Sequence, residues 1–109
     1  MAITGGTLAD GQLPSSIGDL LTVASATVDH ITHIILVNTT GGAITVNLYV
    51  KRNGMTARRI IDKDKSLAAG AAYWVPITSA LRLSASDKIQ GDASAANSID
   101  YTISGGVES

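Results

Sequence analysis

Apolar and polar side chains alternate along residues 43–50, and this pattern is the clearest structural signal in the chain. Every second residue is apolar, and the two alternating sets are Ile44, Val46, Leu48 and Val50, then Thr45, Asn47 and Tyr49. Successive side chains of a β-strand point to opposite faces, so the pattern predicts a strand with one buried and one solvent-facing side. We therefore expect Val46→Asp to be severely destabilising and Asn47→Asp to be mild.

Similar short segments recur along the chain, separated by Gly, Asn, Asp and Ser. They predict further strands near residues 20–24, 30–38, 55–62, 71–77, 81–83, 88–93 and 98–104, with the alternating strand covering 43–52. The count and spacing predict one all-β domain over residues 1–109, a single small β-sandwich of jelly-roll or Greek-key type. Residues 1–19 are expected to form a flexible N-terminal arm with a possible short strand at 7–12. Residues 105–109 are expected to form a loose tail.

The pair Asn53-Gly54 is a strong hairpin signal, because a type I′ turn needs positive φ at both central residues. A strict two-residue turn would pair Val46 with Ile61 on the inward face. It would also place Arg59 opposite Leu48, on that same inward face. Either the arginine stem covers the rim of the core, or the loop is longer than two residues.

Composition narrows the possible functions. The chain has 109 residues, a net charge of −1 and no cysteine, and 45% of its residues are apolar. Without a long basic stretch, phosphate-driven binding to nucleic acid is not expected. Without cysteine, disulfides and sulfur-ligated zinc are excluded. The apolar runs at 34–37 and 71–75 are too short to cross a membrane, and the N-terminus lacks a signal-peptide pattern, so no membrane partner is expected.

Candidate metal and catalytic residues are few. His30 and His33 are three positions apart, which places them on opposite faces of a regular strand and argues against a shared metal ion. Asp62 and Asp64 would share a face if their strand continued, but lysines alternate with them and no chelating loop follows. The Gly-x-Ser-x-Gly motif of serine hydrolases is absent. We therefore expect no catalytic residue, no metal site and no cofactor.

Two groups of residues are candidate partner contacts. The first is a basic group at the predicted hairpin, which contains Lys51, Arg52, Arg58 and Arg59. It forms either a solvated tip that protects the sheet edge or a contact to an acidic partner. The second is Tyr73 and Trp74, which lie just before Pro76. They either pack in the core or anchor an interface, since Tyr and Trp dominate binding hot spots. Stacking on a sugar is a third alternative, which is less favoured because no carboxylate or amide cluster accompanies the single Trp.

The order of several motifs resembles that in small structural proteins of tailed-bacteriophage virions, over roughly residues 7–106. These motifs are Leu13-Pro14-Ser15-Ser16, Ile34-Ile35-Leu36-Val37-Asn38-Thr39-Thr40, Val46-Asn47-Leu48-Tyr49, Leu67-Ala68-Ala69-Gly70, Ile89-Gln90-Gly91 and Asp100-Tyr101-Thr102-Ile103-Ser104-Gly105. The resemblance implies a β-sandwich or jelly-roll subunit that assembles as an oligomer on a capsid or tail. It supplies no active-site residue.

From this resemblance we expect a non-enzymatic virion protein, in the first place a capsid decoration (cement) subunit. It would bind the major capsid protein or another virion protein and bridge capsid subunits, with a homotrimer favoured, in a virion assembled in the host cytoplasm. The alternative is a tail, neck or fibre module that binds a host glycan or another virion protein. An exposed aromatic and amide patch would favour that alternative, whereas a flat apolar or main-chain interface would favour decoration.

Overall fold

Ten β-strands form the regular structure of the chain, whose computed structural model describes residues 3–77 and 79–108. The strands are β1 (Ile3–Gln12), β2 (Gly18–Thr22), β3 (Val28–Asn38), β4 (Ile44–Lys51), β5 (Arg58–Arg59), β6 (Lys65–Leu67), β7 (Ala72–Trp74), β8 (Leu81–Ser84), β9 (Lys88–Ala93) and β10 (Ile99–Glu108). Over these described ranges there is no helix that is long and apolar enough to cross a membrane.

The strands form two antiparallel sheets of five strands each. In sheet A the order is β1-β10-β3-β7, and β8 lies end to end with β7 along β3. In sheet B the order is β2-β9-β4-β5, and β6 lies end to end with β5 along β4. When each end-to-end pair is counted as one interrupted edge strand, the two strand orders are those of an eight-stranded jelly roll, and the chain changes sheet at every connection except that from β4 to β5. The predicted all-β sandwich is therefore confirmed.

The core between the sheets consists mainly of Leu, Ile and Val side chains. Fully buried inward positions include Ile34 and Leu36 on β3 and Val46 and Leu48 on β4. Burial of each such side chain contributes about 1.5–3 kcal/mol to folding. The prediction that Val46 and Leu48 face the core is therefore confirmed.

Both ends of the described chain are strands, which corrects the expected arm and tail. β1 pairs with β10 from Ile3 opposite Glu108 to Gln12 opposite Asp100. On its other side β10 pairs with β3, again out to Glu108. Gly105 permits close contact between the strands, because a Cβ added there would lie 1.9 Å from the His30 carbonyl oxygen.

The connection after β4 differs from the predicted type I′ hairpin. The Met55 N–H donates to the Arg52 carbonyl at 2.9 Å, and of the pair Asn53-Gly54 only the glycine has a positive φ, of 76°. These are features of a type II turn. The return strand is only Arg58–Arg59, and Arg59 lies opposite Tyr49 on the outer face. The loop is therefore longer than two residues, and the register that placed Arg59 inward is wrong.

Two buried aspartates near one end of the sandwich, Asp87 and Asp29, have pKa values that are shifted in opposite directions. Asp87 is 6% exposed and accepts the N–H groups of Asn53 at 2.8 Å and Ser84 at 2.9 Å. Burial acts to raise the pKa of Asp87, but these donors outweigh it and hold the pKa below its usual value. Asp29 is 5% exposed, and burial raises its pKa because the charge of His30 offsets it only in part.

We expect Gly105→Ala to destabilise the fold by at least about 3 kcal/mol or to prevent folding, because the new methyl group overlaps the main chain of β3. Gly41→Ala is the matched control, since nothing lies within 4 Å of a Cβ at that position. It should change stability by no more than about 0.5 kcal/mol. Urea unfolding checks both variants. Equal, small effects would show that residues 105–108 are not a paired strand.

We expect Asp29→Asn and Asp87→Asn to shift stability in opposite directions at pH 7. A raised folded-state pKa means that Asp29 loses stabilisation as pH rises through that pKa, so its amide variant should be more stable than wild type at pH 7. A lowered pKa means that Asp87 stabilises the fold above its unfolded-state pKa, so its variant should be less stable.

The effect of Asp29→Asn should disappear below the unfolded-state pKa of about 3.9, whereas the effect of Asp87→Asn should disappear only as the pH falls through the lowered folded-state pKa of Asp87. Thermal unfolding at pH 7 and at a series of lower pH values measures this dependence. A stabilising effect of Asp87→Asn at pH 7 would contradict the account.

Candidate functional site

Trp74 points outward from sheet A. It lies opposite Ile35 in the register of β3 and β7. Ile34 and Leu36, on either side of Ile35, are 1% and 0% exposed, so Ile35 and its partner Trp74 share the outer face. The Trp74 side chain is 63% exposed, the largest exposed fraction among the large apolar residues described. A core role for Trp74, one of the predicted alternatives, is therefore wrong.

Three further apolar side chains extend this exposed surface, which we call the Trp74 patch and define as Ile35, Val37, Ala72 and Trp74. Val37 lies opposite Ala72, one step along the outer face from the Ile35–Trp74 pair. On the next strand, β10, the neighbouring residues are Thr102 and Asp100. The patch is therefore a flat apolar area with a polar border.

Some polar groups of this border already form hydrogen bonds within the chain. The Gln12 Nε2 donates to Asp100 Oδ1 at 3.1 Å, between the outer faces of β1 and β10. In the strand register, both groups are separated from Trp74 by β3. The side chain next to the indole on β3 is therefore Ile35, and one step along the outer face of β3 lie Val37 on one side and His33 on the other.

Tyr73 points in the opposite direction from Trp74. It lies opposite Leu36, which is fully buried, and its own side chain is half-buried. The Lys65 Nζ on β6 is 5.0 Å from the centre of the Tyr73 ring, in cation–π geometry. Tyr73 therefore helps to close the gap between the two sheets and does not join the Trp74 patch.

Two of the four basic hairpin residues bind other parts of the chain: Lys51 binds its own loop, and Arg52 binds β8 and the β8–β9 connection. The Lys51 Nζ donates to the Met55 carbonyl at 2.8 Å. The Arg52 Nη1 donates to Asp87 Oδ2 at 3.3 Å and also to the Arg82 carbonyl. The Arg52–Asp87 pair adds to the contacts that stabilise this end of the sandwich.

Arg58 and Arg59 differ from each other although they are adjacent. Arg58 lies opposite Val50 and is exposed. The Arg59 guanidinium lies 5.0 Å over the Tyr49 ring and also donates to Asn47 Oδ1. Arg59 is therefore part of the outer face of sheet B, whereas Trp74 is on the outer face of sheet A. One flat partner surface cannot contact both residues.

Asn47 is the centre of a polar cluster that the sequence analysis missed. It is 6% exposed, although it lies on the outer face. Its Nδ2 donates to Asp64 Oδ1 at 3.0 Å and to Asp92 Oδ1 at 2.9 Å, and its Oδ1 accepts the Asp64 N–H at 2.9 Å. The Tyr49 hydroxyl donates to Asp92 Oδ2 at 3.2 Å, and burial together with this carboxylate raises the pKa of Tyr49.

The cluster explains why an outward residue is buried. Between β5 and β6 the chain does not pair with β4 at Asn47. There the Asn47 side-chain oxygen accepts the Asp64 N–H, so a hydrogen bond from a side chain replaces the main-chain hydrogen bond of a paired strand. Both aspartates come from segments far away in the sequence, so the alternation around Asn47 gives no local signal for them.

The two histidines share a face, which corrects the expected divergence. The pairing of β3 with β10 shifts register so that Thr32 is an extra residue, and both Ile31 and Ile34 point into the core. His30 and His33 therefore both face outward. Their contacts differ: His30 Nε2 is 3.1 Å from Glu108 Oε1, and His33 Nδ1 is 3.1 Å from Thr32 Oγ1.

Asp62 and Asp64 do not form a strand pair. Both are exposed, and Asp64 has a φ of 52° in a turn, where its side chain contacts Asn47. In residues 3–77 and 79–108 no group of three or more His, Cys, Asp or Glu side chains is arranged to hold a metal ion.

A small cavity opens at the edge of the sandwich beside β7. Its volume is about 250 Å³, and the lining residues are Ile60, Val75, Pro76, Ile77, Ser79 and Leu81. Ile60 follows β5 in sheet B, Leu81 begins β8 in sheet A, and the other residues lie in the connection between β7 and β8. The cavity therefore lies where the edge strands of both sheets are interrupted.

The fold is similar to part of two viral structures. A chain in the structure of the infectious bursal disease virus Gx strain has a TM-score of 0.50 and 16% sequence identity over 97% of this chain. A chain of the infectious bursal disease virus VP2 subviral particle has a TM-score of 0.49 at 16% identity, also over 97% of this chain. This chain spans only 32% and 31% of those two chains. No family model and no curated protein matches it.

We expect Asn47→Asp to destabilise the fold by about 2–4 kcal/mol at pH 7, which reverses the mild effect expected from alternation alone. The new carboxylate would face those of Asp64 and Asp92 and would lose two donated hydrogen bonds. Thr45→Asp, on the same face and half-buried, is the control and should cost less. Urea unfolding measures both.

A mild effect at pH 7 would show that the polar cluster does not contribute to stability.

Proposed function

We propose that this chain is a non-enzymatic structural protein of a virus particle and that it acts as a decoration subunit. The jelly-roll connectivity and the fold likeness to part of a viral chain support a virion role. The observation that carries the decoration role is the Trp74 patch, a flat apolar surface built on a rigid sheet. Residues 1–109 would act as one domain, located in the virion.

The proposed mechanism is mechanical. The Trp74 patch would bind a neighbouring virion protein, foremost the major capsid protein, and so bridge subunits of the shell. Apolar burial would supply most of the affinity, since the net charge of −1 gives little long-range attraction. A homotrimer would multiply weak single contacts through avidity.

The arrangement around Trp74 favours a protein partner over a glycan. The side chain opposite the indole is Ile35, and the polar groups of the surroundings already have partners: His33 Nδ1 is 3.1 Å from Thr32 Oγ1, and Gln12 is hydrogen-bonded to Asp100. Sugar recognition usually combines an aromatic face with free polar groups beside it. A tail, neck or fibre module that binds a glycan is therefore the alternative, and binding to a glycan array would reveal it.

We expect Trp74→Ala to weaken binding to purified particles of the virus that encodes the chain by about 30-fold, because loss of a hot-spot residue costs about 2 kcal/mol or more. Since Trp74 is 63% exposed, the variant should remain folded. Met55→Ala is the matched control, because Met55 is 60% exposed but lies in the β4–β5 loop. It should bind like wild type. Co-sedimentation at several protein concentrations gives the affinities.

Arg58→Ala should change affinity by less than about threefold at 0.15 M salt, where exposed charges are screened. Wild-type binding that disappears at moderate salt would contradict apolar docking. No binding of wild type to the particle, with binding on a glycan array, would replace the decoration role with the alternative.

A further inference from the structure

The main chain of β7 presents hydrogen-bonding groups away from sheet A. The Asn38 N–H donates to the Ala71 carbonyl at 2.9 Å, and the Val75 N–H donates to the Ile34 carbonyl at 2.9 Å. In an antiparallel pair the groups that bond to the partner alternate along the strand. The N–H and C=O groups of Ala72 and Trp74 must therefore point to the free side of β7.

That free side is open. Among the described residues no strand other than β3 pairs with β7, and both Ala72 and Trp74 are exposed. Pro76, which has no N–H, follows at the next outward-pointing position. The open edge is therefore short, with two residues that can each offer a donor and an acceptor.

The cavity of about 250 Å³ continues this edge beyond Trp74. Five of its six lining residues are apolar, and Ile60 reaches it from the opposite sheet. Pockets for small-molecule ligands usually have about 300–1,000 Å³, so this cavity better suits one large apolar side chain. Free main-chain groups, an exposed indole and an apolar cavity thus lie in sequence along one edge.

We propose that the β7 edge binds an extended peptide segment of a neighbouring protein as an added strand. The segment would form main-chain hydrogen bonds with Ala72 and Trp74, and an inward apolar side chain further along it would enter the cavity. This is β-strand addition, in which the main chain provides affinity and pockets for alternate side chains provide specificity. The inference deepens the proposed function by naming the chemistry of the partner at the same surface.

A second copy of this chain is a poor donor for such a segment. Its described ends are already paired, because β1 and β10 bond to each other from Ile3 to Gln12 and β10 also bonds to β3. A copy that donated either strand would have to lose its own sheet A. The geometry therefore points to an extended arm of a different protein.

The test uses a synthetic peptide of eight residues that alternates threonine with valine or leucine and carries lysine at both ends. Titration into the ¹⁵N-labelled chain should shift the amide signals of Ala72 and Trp74, with a dissociation constant of about 1 mM, as for a short strand with few contacts. Ala72→Pro removes one outward donor without removing a hydrogen bond of the fold, and should weaken binding at least about tenfold. Ala72→Ser is its control and should bind like wild type.

Two further measurements test strand addition if the Ala72→Pro variant does not fold. A peptide with the same side chains but N-methylated at alternate residues lacks the donors for one edge and should not bind. Ser79→Phe, which places an aromatic ring at the exposed rim of the cavity, should weaken binding of the unmodified peptide. No amide shift in β7 at about 5 mM peptide, or equal binding of the N-methylated peptide, would overturn strand addition.

This experiment is independent of the particle. Wild-type chain that binds the peptide but not the virus particle would overturn the proposed function while supporting the added strand. Chain that binds the particle through Trp74, with no peptide binding, would support the proposed function and overturn strand addition.

Discussion

The position of β10 between β1 and β3 is the constraint on which the rest of the fold depends. β10 is the last strand in the sequence, and it pairs with the first and the third. Its inward residues Ile99 and Ile103 are fully buried, and Gly105 contacts the main chain of β3 so closely that no side chain fits. Because this pairing joins distant parts of the chain, it closes sheet A only when most of the sequence is in place. Sheet A in turn supports the exposed edge that carries Trp74.

The strands with regular alternation could be predicted from sequence, and the irregular ones could not. The bounds of β9 agree with the prediction at both ends, and those of β3 and β4 agree within two residues. β6, the first part of β1 and the last part of β10 were missed, because β6 has only three residues and the glycines in the other two segments give them the composition of loops. These segments are strands because they pair with strands far away in the sequence, and the composition of a segment gives no information about such pairing.

In the candidate site, too, the local sequence predicts some features, whereas others depend on contacts with residues far away in the sequence. The sequence identifies Trp74 as a notable residue but cannot decide between core and surface, since the decision depends on its register with Ile35. It identifies Tyr73 and the basic residues as candidate partner contacts, whereas in the structure Tyr73 contacts Lys65 and Arg59 contacts Tyr49. The bulge at Thr32 reverses the expected facing of one histidine, and distant aspartates bury Asn47. Each of these differences follows from a long-range contact.

The outer faces of the two sheets have different chemistry, and this difference supports the proposed orientation on a particle. On sheet B, Asp19 bonds to Lys88 and Gln90, and Asn47 bonds to Asp64 and Asp92, so the polar groups already have partners within the chain. On sheet A, the Trp74 patch and the open edge of β7 have none among the described residues. A partner therefore gains more by covering sheet A, because apolar area and free main-chain groups are available there.

The most direct test of this account is an electron cryo-microscopy map of the native particle at a resolution that traces strands and large side chains. The account predicts a jelly roll whose β7 edge and Trp74 side chain are covered by a neighbouring virion protein, with the outer face of sheet B open to solvent. A map in which sheet B is the contact face and Trp74 is free, or in which the chain is absent from the particle, would contradict it.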